Sequence, residues 1–243
     1  MKRVLTVALA LLGLWGLLHW PVRTRQGVNY TLTEQTIPLH LKLGRFIYRD
    51  AEYRALVRTV TKGLANKEAR VLALYDWVRA HLHSGIPQGL PVMDDHVWHI
   101  IVRGYGTADQ LADVLATLCA YAGVPAELVF LGPPGGRSVH AVTLVRVEGR
   151  WCPVDPYYGV MARHPDGRLA SREEILADPE LVRRYAPSMT VRGVEYAQLY
   201  RWMPDVSRHD ELRPYRHHPF MRAWYEFRRG LRAVAGVPWE GGR

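Results

Sequence analysis

The chain has only two cysteines, Cys119 and Cys152, and only four lysines beside 28 arginines. The cysteines show no metal-ligand spacing, so a metal site is not expected, and no cofactor is expected either. No internal repeat and no low-complexity stretch occurs, which leaves an ordinary globular protein. Among its 243 residues, 48% are hydrophobic and 23% charged, enough for one domain with extensions or two small ones. The net charge of +9 lacks the clustering of a nucleic-acid footprint. Lys2, Arg3, Arg23 and Arg25 flank one apolar segment, and elsewhere acids are interspersed with the arginines as on a solvated surface. Nucleic-acid binding is therefore not expected.

Charge is missing altogether from Val4 to Leu18, and Pro21 closes the apolar run that His19 and Trp20 extend. Such a helix reaches about 25 Å, the lower edge of what crosses a bilayer. No A-x-A arrangement stands near Trp20, and Trp15 and Trp20 suit an interfacial belt. The expectation is an uncleaved single-pass membrane anchor with the globular part outside the cytoplasm; a cleaved signal would make the protein secreted. A Cys119–Cys152 disulfide is permitted there, though not implied.

Helical spacing marks Asp50 to about Val60, and Asn66 is a candidate N-cap for Lys67 to Leu82. Ser84 to Pro91 reads as a Gly/Pro-rich loop and Asp94 to Val102 as a short bridging segment. Thr107 with Gln110 forms a capping-box pattern ahead of an apolar-periodic run from Ala108 to Ala122, and Gly123-Val124-Pro125 stops it. Strands are expected at Ala126–Leu131, Val139–Glu148 and Trp151–Asp155, divided by Gly132–Gly136 and Gly149-Arg150. Ser171 to Glu174 opens another short helix. One helix followed by antiparallel strands indicates an α+β fold. Near the C-terminus, Phe220, Trp224, Phe227 and Leu231 form one helical face opposite Arg222, Arg228, Arg229 and Arg232, which suits contact with a membrane surface or a protein.

Five anchors stand in order: Gly106-Thr107-Ala108-Asp109-Gln110, Gly123-Val124-Pro125-Ala126, His140-Ala141, Gly149-Arg150-Trp151 and Asp155-Pro156. Together they resemble the transglutaminase-like superfamily, relatives of papain-type cysteine proteases, whose pattern runs G-x-C-D-Q, G-I/V-P-A, H-A, G-x-W and D-P. The resemblance implies a papain-like core, a helix packed on an antiparallel sheet. It implies catalytic roles for His140 and Asp155, and it puts Ala108 where the nucleophilic cysteine belongs. The expected organisation is an anchor or signal over 1–25, an N-terminal extension over 26–66, the core over 67–160 and a helical, Arg/Trp-rich extension over 161–243.

A cysteine in the first helical turn is a good nucleophile because the helix dipole and free N–H groups stabilise its thiolate. A strand histidine accepts its proton, and a carboxylate fixes the imidazole. A methyl group can do none of this. Cys119 lies about 16 Å along the same helix, and Cys152 points to the strand face opposite Asp155. Thr107 suits an N-cap and, with Asp109, Gln110 and Trp151, is candidate lining of a substrate cleft. The leading expectation is a membrane-anchored pseudoenzyme that binds a peptide or envelope component. The alternative is an active peptidase, amidase or acyltransferase using another nucleophile.

Overall fold

The protein is described by a computed structural model, which places residues 2–28, 31–91 and 94–206 and the isolated helical positions 224, 228 and 231. Its elements run α1 (Lys2–Leu18), β1 (Pro21–Val28), β2 (Thr31–Pro38), α2 (Leu39–Val60), α3 (Lys67–His81), β3 (His83–Ser84), α4 (Val97–Arg103), β4 (Tyr105–Gly106), α5 (Ala108–Tyr121), β5 (Ala126–Leu131), β6 (His140–Val147), β7 (Arg150–Val154), α6 (Arg172–Ala177), α7 (Glu180–Arg183), β8 (Thr190–Val191), β9 (Val194–Glu195) and α8 (Tyr196–Leu199), followed by a 3₁₀ turn at Tyr200–Trp202. The mixed α and β content agrees with the fold class expected from the sequence.

The centre is a three-stranded antiparallel sheet in the order β5-β6-β7. Glu148 and Gly149 both take positive φ, at 50° and 79°, as the two-residue β6–β7 hairpin requires. Strand alternation then divides the side chains between two cores. Val145, Val147, Cys152 and Val154 meet α5, whose Leu111, Leu115 and Leu118 are fully buried. Each such leucine contributes about 2 kcal/mol of hydrophobic stabilisation. Val142, Leu144 and Trp151 face the other way, onto Ile175, Val182 and Leu199 from α6 to α8. The segment after residue 160 therefore packs on the second face of the sheet, and it includes the β8–β9 hairpin as well as helices.

Helix α5 begins at a capping box, with Gln110 Oε1 accepting from the Thr107 N–H at 3.1 Å. It ends where Gly123 takes φ 75° and the Val124 N–H returns to the Cys119 carbonyl at 2.9 Å. In α3 the Asn66 side chain accepts from the Glu68 N–H at 2.7 Å. Two stretches depart from the sequence expectation. Helix α2 starts at Leu39, eleven residues before Asp50, because its first turns are exposed and carry no apolar stripe to read. The bridging segment contains α4, a seven-residue helix whose Val97 and Ile100 are buried.

The expected transmembrane helix does not gain support. Helix α1 has 17 residues, about 25 Å against a hydrocarbon core of about 30 Å. Among the described residues no helix is long and apolar enough to cross a membrane. Of the C-terminal amphipathic face, Trp224, Arg228 and Leu231 are helical, while Phe220, Phe227, Arg222, Arg229 and Arg232 lie outside the described residues.

Candidate active site

Three chain segments converge on one cleft: the start of α5, the first residue of β6, and the turn that leaves β7. His140 opens β6 opposite Leu131. Asp155 follows β7 and forms a bridge with Val160, its N–H reaching the Val160 carbonyl at 2.9 Å. The turn between them is clamped from α3 and β3. Arg79 donates to the carbonyls of Pro156 and Tyr157, at 3.3 and 3.1 Å, and the Ser84 hydroxyl donates to the Tyr157 carbonyl at 2.8 Å. Gly159 sits at φ 75°, and a Cβ there would lie 2.8 Å from an Arg79 nitrogen. The positive φ favours glycine, and any Cβ would also oblige the Arg79 guanidinium to shift.

The Asp155 carboxylate is completely buried, and each of its oxygens is shared. Oδ1 accepts from the backbone N–H groups of Tyr157 and Tyr158, at 2.8 and 3.0 Å. Oδ2 contacts His140 Nε2 at 2.6 Å and accepts the Tyr196 hydroxyl at 2.5 Å. The Tyr200 hydroxyl lies 2.9 Å from that of Tyr196. Burial, with help from Tyr200 and Asp155, pushes the Tyr196 phenol well above its ordinary range, so it stays a donor. Asp155 is thus the acceptor for an Nε2–H tautomer of His140, which leaves the Nδ1 lone pair as the basic site. Nδ1 has no hydrogen bond among the described residues. Tyr158, Tyr196 and Tyr157 surround the imidazole at ring separations of 4.9, 5.9 and 6.2 Å.

Ala108 and His140 line the same cavity of about 1020 Å³. Ala108 is the first residue of α5, the turn where free N–H groups would stabilise an anion. Its methyl group offers no nucleophile. Thr107 and Asp109 share this wall, with the Thr107 hydroxyl donating to Asp109 Oδ1 at 2.5 Å. Neither cysteine can substitute for Ala108. Both are buried free thiols in the core on the α5 side. Burial raises Cys119 far beyond the usual thiol range and pushes Cys152 up to about 12.

Gln110 and Trp151, expected in the cleft, are not on its wall. Gln110 is buried and fully engaged: Oε1 accepts from Arg103 at 2.6 Å and from the Thr107 N–H, and Nε2 donates to Asp95 at 2.5 Å. It fastens α5 to the preceding segment. Trp151 packs in the second core, since strand alternation turns it away from α5. Among the described residues no group of three metal-ligating side chains occurs.

The sequence reading missed the tyrosines. Tyr157 and Tyr158 follow Asp155-Pro156 directly, and their adjacency to that motif was the available signal. Tyr196 comes 41 positions after Asp155, where nothing local announces a long-range hydrogen bond. Its only signature is the helical spacing of Tyr196 and Tyr200, separated by four residues.

Residues 54–156 match the family model of the Transglutaminase-like superfamily. That span contains Ala108, His140 and Asp155 and stops before Tyr196. No curated protein matches the chain. Solved structures give partial similarities. A candidate cysteine protease from Cytophaga hutchinsonii is 17% identical over 49% of this chain and 40% of its own, with a TM-score of 0.38. A candidate protease from Parabacteroides distasonis is 14% identical over 55% of this chain and 35% of its own, with a TM-score of 0.37. A structure described as a TGase is 13% identical over 55% and 43%, with a TM-score of 0.38. The chain spans less than half the length of each.

Proposed function

We propose that this transglutaminase-like chain is a pseudoenzyme: a cleft-binding protein of the cell envelope, without cysteine-based catalysis. The observation that carries this reading is Ala108, the first residue of α5, lining the cavity with His140. His140 and Asp155 retain the arrangement of a general base and its orienting carboxylate, but nothing on the wall offers them a thiol. A peptide or another envelope component occupies the cleft. A cysteine-directed covalent probe and an acyl-transfer assay are both expected to be silent on the natural chain. Robust turnover abolished by His140→Ala in a folded protein would sink the reading.

Membrane attachment belongs to the same proposal. From Val4 to Leu17 the large apolar side chains of α1 are exposed, Trp15 among them, and burying them in a lipid phase removes that apolar surface from water. The globular part then lies outside the cytoplasm. Recovery of the chain in the membrane fraction, resistant to alkaline extraction, is the expected result; recovery in the soluble fraction with α1 intact would count against it.

One observation favours an active enzyme as a second reading. Thr107 lines the cleft and its hydroxyl donates to the Asp109 carboxylate, the arrangement that activates a weak nucleophile. Turnover lost in Thr107→Ala, with the fold intact, would establish it.

A further inference from the structure

The chemistry of the cleft rim narrows the ligand. Two guanidinium groups, Arg137 and Arg192, line the cavity against a single carboxylate, Asp109, which already accepts the Thr107 hydroxyl. His140 turns its Nε2 to Asp155. The rim is therefore cationic. Arg137 is exposed beside Gly135 and Gly136 and forms no ion pair or hydrogen bond among the described residues.

Arg192 is held in place at a conformational cost. It occupies the first position of the β8–β9 turn at φ 50°, with Gly193 at φ 80°. A two-residue turn of this kind normally takes Asn, Asp or Gly there, because a side chain with a larger Cβ substituent is strained at positive φ. Glu148 takes the same place in the β6–β7 turn, also at φ 50°, so the position of the guanidinium and not the turn itself points to a ligand. The guanidinium reaches across the cavity mouth and donates through Nη1 to the Ser138 carbonyl at 3.1 Å. That bond leaves most of its five donors uncommitted.

We propose that the cleft recognises a carboxylate-bearing peptide, its acidic side chain held by Arg192 and Arg137 and its apolar parts lying along Phe130. This rests on the reading of the cleft as a binding site and names what binds there. A peptide is favoured over an acidic sugar because the wall sets exposed hydrocarbon beside its two guanidinium groups. Apart from Asp109 it has no carboxylate or carboxamide side chain, whereas Phe130 is 48% exposed and offers hydrocarbon surface. A guanidinium donates two parallel hydrogen bonds to a carboxylate, a geometry a carboxamide cannot match.

The test uses the full chain in mild detergent and fluorescein-labelled tetraglutamate, read by anisotropy near physiological salt. Tetraglutamate is expected to bind about tenfold more tightly than tetraglutamine, the value of one charge-assisted pair. Arg192→Asn removes the guanidinium and relieves the turn strain. It should weaken tetraglutamate binding about tenfold while raising Tm by about 2–4 °C, a combination that damage to the fold cannot produce. Arg137→Gln should weaken binding by a smaller factor. Arg58→Gln, exposed on α2 away from the cleft, should change nothing. An equal loss in Arg58→Gln would overturn the proposal by reducing the binding to net charge. Equal affinity for the two peptides would overturn the anionic preference and leave the cleft reading standing. Tighter binding of tetragalacturonate than of tetraglutamate would overturn the choice of a peptide. Binding of none of the three would overturn both this proposal and the peptide reading of the cleft.

Discussion

The two ends of the cleft are built to different standards. At the Asp155 end, a fully buried carboxylate receives His140, Tyr196 and two backbone N–H groups. It ties the end of β7 to the turn beyond it and to α8. At the Ala108 end, a half-buried methyl group opens a helix and bonds to nothing. A change at the first end leaves several buried polar groups unsatisfied, whereas a change at the second leaves the fold nearly untouched. The buried His140–Asp155 contact contributes to stability, and its presence does not by itself indicate catalysis. Ala108 stands at the end where a change costs the fold little.

The largest expected effect tests that asymmetry directly. Asp155→Ala takes the acceptor from a buried imidazole, from the Tyr196 phenol and from two backbone N–H groups of the turn, and should cost on the order of 3–5 kcal/mol in urea unfolding. A loss below about 1 kcal/mol would remove the contrast between the two ends.

Acid should strike the other side of the molecule first. His96 accepts the Trp98 N–H at the start of α4, which packs on α5. Burial, assisted by Arg49 and His99, lowers its pKa from 6.5 to about 4, with Asp94 and Asp113 opposing. The folded state then favours the neutral ring, so unfolding takes up a proton between these values. Stability is complete above about pH 6.5 and declines as pH falls towards 4, by on the order of 2 kcal/mol given partial exposure. His96→Asn should flatten this window in a pH series of denaturation midpoints. An unchanged acid slope would assign the effect elsewhere.

A smaller change tests one contact of that end. Tyr196→Phe deletes one of the two partners on Asp155 Oδ2. It should cost about 1–2 kcal/mol. The midpoint of urea unfolding reads the loss, and an unchanged midpoint would make Tyr196 merely a packing residue.

How much of this was legible follows the same division. Helix α5 and strands β5 to β7 stand within a residue or two of their sequence expectations. Thr107, Gly123 and the β6–β7 hairpin are local signals, and the alternation of β6 and β7 is period-two chemistry. Motif order singled out His140 and Asp155, and the structure brings the two together at 2.6 Å. The remainder depends on contacts distant in sequence. Tyr196 reaches Asp155 only because the segment after residue 160 folds onto the back of the sheet. Arg192 reaches the cleft only because a turn with an unusual first residue carries it there. Gln110 and Trp151 had the right neighbours in sequence, yet helix and strand geometry aims them elsewhere.

The smallest structural change gives the sharpest answer. Ala108→Cys should alter stability by no more than about 0.5 kcal/mol. It places a thiol at a helix N-terminus in the cleft with His140. The pH dependence of iodoacetamide alkylation, compared with the unreactive natural chain, measures that thiol's pKa. A value well below the ordinary 8.5 or so, rising towards it in Ala108→Cys with His140→Ala, is the predicted result, showing an activating site that lacks only its nucleophile. A thiol titrating at the ordinary value, indifferent to His140, would contradict the account.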